Sequence, residues 1–293
     1  MDIRDAIEII SKKFGGSEIF YGHGTDNSTS EAIYLVCSIL NISYDQLLLE
    51  QFRKINEDEY SMISLVAKNR IAERKPLAYL LGTASFAGYQ FNCDERALVP
   101  RSPIAELVIN QFEPFLKGSP KRVLDLCSGG GCLGIATALT FPYSRVDLAD
   151  IDVAALSLAE ENIRLHEIED RVSTIESDFF EQLLEGVYDL IIANPPYVSH
   201  SEYDELPSEY LQEPKQGLVS NQEGLECSLH ILKSSAIYLK DDGWLVLEVG
   251  YSKKDLERRL PDIPFLWLEF EDGGDGVLAI SKQELMEFGP RFL

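Results

Sequence analysis

RVLDLCSGGGCLG, residues 122–134, passes from an apolar β-branched run through three consecutive glycines to residues that open a helix. A strand, a glycine turn and a helix in that order form the first unit of an open α/β sheet. Asp125 sits at the strand end, and Gly129, Gly131 and Gly134 are expected to let the backbone turn tightly beneath a ligand. Taken alone, such a loop is shared by many nucleotide binders.

The alternation continues downstream. RVDLAD (145–150), RVSTIES (171–177), YDLIIAN (188–194) and GWLVLEV (243–249) read as strands, with helical stretches such as VAALSLAEENIRLH between them. This pattern predicts a parallel, doubly wound sheet with helices on both faces. FLWLEF (265–270) and GVLAIS (276–281) are joined by EDGGD, too short for a crossover helix, so the last pair is expected to be antiparallel.

The text before residue 75 has another style. Ser28-x-x-Glu31 precedes AIYLVCSIL, Ser43-x-x-Gln46 precedes an apolar LLL run, and Leu65, Val66, Ala67 and Ile71 follow without Gly or Pro. We expect a small helical domain over 1–75 that recognises substrate, a β-hairpin connector over 76–100 and a catalytic α/β domain over 101–293.

Composition narrows the class. The chain has 293 residues, 45% of them hydrophobic, enough for one large core and a smaller one. MDIRDAIEIISKKF mixes acids into its apolar positions, and no stretch reaches the roughly 18 apolar residues of a membrane span, so a cytoplasmic protein with no membrane partner is expected. Five scattered cysteines form no C-x-x-C pair, and four dispersed histidines are expected to be structural or surface, leaving neither a disulfide nor a metal site. The formal net charge of −23, from 49 acidic and 26 basic residues, opposes phosphates and favours basic partners. Acidity also serves solubility alone.

Two further strand ends carry carboxylates. Asp150 is placed to accept both ribose hydroxyls of a nucleoside, and Asp178, beside Ser177, to accept from an adenine amine. Asp152 reads as the N-cap of the next helix. A pyrophosphate would be opposed by Asp125 at the glycine loop, whereas the ammonium and sulfonium of S-adenosylmethionine would be favoured, and G-x-x-x-x-G-K-[ST] is absent.

LIIANPPYVS (190–199) ends a strand on a polar amide and two prolines beside the place a sulfonium methyl would occupy. An amide or aromatic amine is a poor nucleophile because its lone pair is delocalised. The Asn194 side-chain oxygen and the Pro195 carbonyl can each accept one N–H from a planar –NH2 group, Pro195 and Pro196 stiffen these acceptors, and Tyr197 can stack on the flat group. On this reading catalysis rests on positioning and requires no general base.

Asp125 to Gly131, Asp150, Asp178 and Asn194-Pro-Pro-Tyr197 together resemble the class I methyltransferases that methylate glutamine side-chain amides in translation proteins. The resemblance implies a seven-stranded sheet whose last strand is antiparallel, preceded by a helical domain and a hairpin. YGHGTDNSTSEAIYLV (21–36), LVPRSPIAELV (98–108), EYLQEPKQGLVSNQEGLE (209–226) and LEFEDGGDGV (268–277) are similar to the branch acting on the third protein of the large ribosomal subunit. The release-factor branch usually has a Pro-Glu-Thr type sequence where this chain reads Arg101-Ser102-Pro103-Ile104. Gly130 departs from the Ser or Thr more usual in the family.

The implied cofactor set is Asp125, Cys127, Gly129, Gly131, Asp150, Asp178, Phe179 and Asn194. Asn194, Pro195, Pro196 and Tyr197 are implied at the methyl-transfer point, and Arg101, Glu106, Tyr197 and Glu213 at the substrate. Glu213-Pro214 would belong to a loop closing over it. The implied partner is a basic ribosomal protein, with nucleic acid not bound directly. A DNA or RNA amine methyltransferase also carries N-P-P-[YF], but it would normally show a basic cluster, and none is present.

Overall fold

The computed structural model describes residues 1–271 and 273–292. Five helices come first: Ile3–Gly15, Ser28–Leu40, Tyr44–Glu50, Glu57–Glu73 and Leu77–Leu81. In the first, Ile3, Ala6, Ile10 and Phe14 recur at helical spacing and turn inward. Asp2 and Asp5 cap that helix reciprocally, and Ser43 with Gln46 cap the third in the same way.

The second helix corrects the sequence expectation. Its N-cap is Asn27, not Ser28, and the Asn27 side chain accepts from the N–H groups of Thr29 and Ser30. Glu31 turns inward instead, accepting from Arg70 Nε at 2.6 Å and Thr25 Oγ1 at 2.9 Å. A buried guanidinium has no substitute for a carboxylate, whereas an exposed helix end has water.

The hairpin consists of β1 (Thr83–Phe86) and β2 (Tyr89–Asn92), paired antiparallel across Ala87 and Gly88, both at positive φ. It occupies only the middle of the stretch read as a hairpin, because Leu77–Leu81 is helical. The main sheet contains β3 (Arg122–Leu126), β4 (Arg145–Asp150), β5 (Val172–Glu176), β6 (Tyr188–Ala193), β7 (Leu239–Glu248), β8 (Leu266–Trp267) and β9 (Val277–Ser281). Their order is β5-β4-β3-β6-β7-β9-β8. β3 to β7 are parallel, and β9 runs antiparallel to both β7 and β8, as its short connection requires. Asp272 of the EDGGD connection lies outside the described residues, as does Leu293. β7 starts at Leu239 rather than Gly243, with a slip in register between Tyr188 and Leu190. β8 is shorter than FLWLEF, which limits the exposed pairing edge of the sheet.

Alternate side chains fill two cores. Val123, Val146, Leu148, Leu190, Ile192 and Val246 join one cluster, and Leu124, Leu126, Ile191, Ala193, Leu245 and Leu247 join the other. The chain steps from β3 outward to β4 and β5, then returns to β6 on the opposite side. Between β3 and β6 the connections therefore diverge, opening a crevice at the carboxyl edge.

Candidate active site

A cavity of about 340 Å³ occupies that crevice. Its lining comes from the ends of β3, β4, β5, β6 and β7, from residues 96–102, and from Pro214 and residues 216–219. Asp125, Cys127, Gly129, Asp150, Asp178, Phe179, Asn194, Pro195, Pro196, Tyr197 and Arg101 all line it.

At its base the Asp125 carboxylate is buried and accepts from the Gly134 N–H at 2.7 Å. Burial pushes this carboxyl up to about 8, against the pull of that hydrogen bond. Gly129 and Gly131 turn the loop at φ +53 and +78. Gly134 plays a different part from the one expected: it lies in the helix Cys132–Thr140, where a Cβ would stand 2.3 Å from Leu148 Cδ2 and 2.8 Å from Asp125 Cβ. It permits close packing of helix on strand. Gly131 is confined in the same way, since a Cβ there would stand 2.8 Å from Leu148 Cδ1.

Asp150 accepts from the Gly129 N–H at 2.7 Å and the Asp152 N–H at 2.9 Å. A carboxylate offers about four acceptor positions, so two remain. Burial raises its pKa. Asp152 is the N-cap of Val153–Leu165. After β5, Ser177 Oγ donates to the Phe179 carbonyl at 2.8 Å, shaping the turn that presents Asp178, and the Phe179 ring packs 4.6 Å from that of His230.

Asn194 follows β6. Among the described residues no hydrogen bond engages its side-chain amide, and none reaches the Pro195 carbonyl. Tyr197 is held from several sides: its hydroxyl donates to Glu248 Oε1 at 3.2 Å, and its carbonyl accepts from Ser252 Oγ at 2.8 Å. A Cβ on Gly250 would stand 2.4 Å from the Tyr197 ring.

The remaining sequence-derived residues are placed less directly. Glu213 is buried behind the wall, where it accepts from both Arg101 guanidinium nitrogens, the Val99 N–H and His23 Nε2. Burial alone would raise its pKa, but Arg101 and the hydrogen bonds from His23 and Arg101 outweigh this and bring it to about 2. Glu106 accepts from the Glu271 N–H at 2.9 Å and does not line the cavity. Its helix, Ile104–Ile109, turns this side chain to the 271 segment instead.

Two features escaped the sequence reading. Glu248, at the end of β7, lines the cavity and accepts from Ser102 Oγ at 2.5 Å. The rule that singled out polar residues at strand ends applies to GWLVLEV equally and would have found it. Glu209 is buried and binds Arg70, Arg74 and the Phe20 N–H, tying the 209–213 segment to the N-terminal helices. That tie spans distant positions, and neither spacing nor periodicity signals it.

A doubly wound sheet with its final strand reversed, carrying a glycine loop, acidic strand ends and two uncommitted acceptors at the fourth strand end, defines a class I S-adenosylmethionine-dependent methyltransferase. Residues 105–224 match the Methyltransferase small domain family, and residues 15–82 match the PrmC N-terminal domain. A ribosomal protein uL3 glutamine methyltransferase of Francisella tularensis subsp. tularensis is 40% identical, covering 99% of this chain and 93% of that protein. Its namesake in Xanthomonas campestris pv. campestris is 42% identical, covering 99% and 94%. The chain belongs to the ribosomal protein uL3 glutamine methyltransferase family. The hMettl16 catalytic domain, solved in complex with a 3′UTR hairpin, shares the fold at a TM-score of 0.53 and 17% identity, covering 85% of this chain and 90% of that one.

Proposed function

We propose that this chain transfers a methyl group from S-adenosylmethionine to the side-chain amide nitrogen of a glutamine in ribosomal protein uL3. The observation that carries the reading is the pair of uncommitted acceptors, the Asn194 amide oxygen and the Pro195 carbonyl, on a proline-stiffened segment at the cavity wall. A primary amide presents two N–H donors in one plane, and two fixed acceptors hold that plane with the nitrogen turned toward the donor. Their interaction strengthens as positive charge develops on nitrogen, so it favours the transition state over the ground state.

S-adenosylmethionine supplies the methyl group on a positively charged sulfur. The chain's residues fit it. Ser128 Oγ, in the glycine loop, is buried without a partner among the described residues. Asp150 retains acceptor positions for a pair of hydroxyls, and Asp178 stands at the neighbouring strand end. Asp125, held high by burial, would be drawn to its charged form by an ammonium beside it.

The helical part over 1–75 acts in recognising the substrate, the 76–100 segment connects, and residues 101–293 carry the chemistry. Glu209 supports this division of labour, because it couples the helices to the segment that reaches the cavity at Pro214. The uL3 surface that docks is basic, and nucleic acid is not bound directly. Support comes from the net charge of −23.

The test is transfer of labelled methyl from S-adenosylmethionine to isolated uL3, with the modified residue located by mass spectrometry. Methylglutamine in uL3 and no label on naked RNA or DNA is the expected result. Label on nucleic acid with uL3 left unmodified would overturn the reading.

A further inference from the structure

A methylated amide carries one proton fewer on nitrogen than the amide that entered, and that proton needs a destination. The cavity wall offers one. Glu248 ends β7, beside β6, in the register that pairs Ala193 with Leu247, so it follows Leu247 as Asn194 follows Ala193. It is 4% exposed, yet it lines the same cavity as Asn194, Pro195 and Tyr197.

Its hydrogen bonding is incomplete. Ser102 Oγ and Tyr197 OH each donate to one oxygen, occupying two of about four acceptor positions. Arg101 is close enough for its charge to act on Glu248, but its guanidinium is committed to Glu213 in two hydrogen bonds. Glu248 is therefore a buried carboxylate oriented by hydroxyls without a salt bridge among the described residues. A purely structural anchor for Tyr197 would be served as well by an amide, without the cost of burying an ionisable group.

We infer that Glu248 accepts the proton released from the glutamine nitrogen during methyl transfer; this rests on the function proposed above and departs from the sequence expectation that no general base takes part. The nitrogen lone pair forms the new N–C bond, and the carbon–sulfur bond breaks with its electron pair going to sulfur. With its lone pair spent on the new bond, the nitrogen loses amide resonance and can rotate, so one N–H turns from its Asn194 or Pro195 acceptor to Glu248. That N–H bond breaks, leaving its pair on nitrogen and sending its proton to a Glu248 oxygen. Release to solvent then restores the carboxylate.

Burial pushes Glu248 up to about 7, against the hydrogen bonds from Ser102 and Tyr197 and the charge of Arg101. An acceptor with a pKa near the working pH can take a proton and also give it back. The groups bearing on this value are Ser102 and Arg101, with Glu213 behind it, on the 99–102 side, and Tyr197 after β6. On the other flank Glu248 pairs with uncharged Val277 of β9.

The experiment compares the full chain with Glu248→Gln and Ser102→Ala, measuring kcat at saturating S-adenosylmethionine and uL3 across roughly pH 5 to 9. The parent should show a rising limb centred near the Glu248 value of about 7. Glu248→Gln keeps the side chain's shape but accepts no proton. It should lose that limb and about 10²-fold in kcat, the usual scale of proton-transfer catalysis. Ser102→Ala removes a hydrogen bond that favours the charged form and should move the limb to higher pH. A Glu248→Gln enzyme that keeps both limb and rate would overturn the inference. Carbon-13 NMR titration of the Glu248 carboxyl in the intact chain tests it independently, since an ordinary value near about 4.3 would also overturn it. If the parent fails to methylate uL3, the proposed function falls, and the titration still tests Glu248.

Discussion

Glu213 Oε1 and Oε2 lie 2.6 and 2.7 Å from Arg101 Nη1 and Nη2, a fork-to-fork pair joining positions 112 residues apart. The guanidinium also lies over the Tyr210 ring, 5.1 Å from its centroid. The pair thus holds two walls of the cavity together, the 96–102 segment and the 214–219 segment. Replacing Glu213 by Gln would leave Arg101 without its counter-ion in a partly buried site. Loss of one partner of such a pair typically costs about 3–5 kcal/mol. Chemical denaturation should show a loss of that order, accompanied by a higher KM for uL3 as the wall loosens. A loss below about 1 kcal/mol would mark the pair as a surface-like contact.

Asn194→Ala should separate chemistry from folding. The side chain has no hydrogen bond among the described residues, so its removal leaves no internal group unpaired. We expect kcat to fall 10²-fold or more, the scale of one lost transition-state acceptor, with melting temperature and cofactor affinity nearly unchanged. Calorimetry showing cofactor affinity falling as far as turnover would make Asn194 a binding residue instead.

Asp150→Ala acts on binding and on the glycine loop at once, because Asp150 already accepts from the Gly129 and Asp152 N–H groups. The expected outcome is a KM for S-adenosylmethionine raised by the equivalent of about 1–3 kcal/mol, with kcat at saturation little changed. Asp150→Asn retains one acceptor oxygen and should fall between the two. An unchanged KM in Asp150→Ala would remove Asp150 from the cofactor site.

The seven strands and their directions were legible in the sequence because each was a short apolar run with a polar end, and because EDGGD left no room for a crossover. Asp125, Asp150 and Asn194 were legible for the same reason: strand ends of such a sheet converge on one crevice. Ser28 was misread as a cap because Ser-x-x-Glu satisfies the local pattern. The competing claim on Glu31 comes from Arg70, 39 positions away, which no local rule can register. Glu106 shows the converse limit. A resemblance carries a residue to a position in the chain, but the direction of its side chain depends on its helix's rotation against the 271 segment.

Stability should respond to pH in two opposed ways. Glu209 and Glu213 have folded values of about 2, below the ordinary 4.5: burial opposes ionisation in both, and for Glu209 the hydrogen bonds from Arg74, Phe20 and Arg70 more than offset it, as Arg101 and His23 do for Glu213. A depressed folded pKa gives stability that is present above the unfolded value and lost as pH falls through the folded one, here between 4.5 and about 2. Asp125 and Glu248 are displaced upward by burial, to about 8 and about 7, so their contribution is complete below their unfolded values and fades as pH rises through these. Each unit of displacement corresponds to about 1.4 kcal/mol. The free chain should therefore melt at a lower temperature at pH 8 than at pH 6, with a separate collapse in acid. Asp125→Asn should flatten the alkaline decline, and a decline unaltered in that variant would assign it to other groups.

The last expectation concerns the field of 49 acidic and 26 basic residues. If this field guides a basic ribosomal protein to the cavity, association should be fast at low ionic strength and slow steeply as the Debye length shrinks from about 30 Å at 0.01 M to about 8 Å at 0.15 M. Transfer within the bound complex should hardly respond, because Asn194, Pro195 and Glu248 act over hydrogen-bond distances that salt does not screen. The measurement is kcat/KM for isolated uL3 across that salt range, with kcat measured alongside. A falling kcat/KM with a level kcat is the signature of steering. A kcat/KM indifferent to salt would reduce the acidity to a means of solubility and place recognition in contacts at the helical N-terminal part.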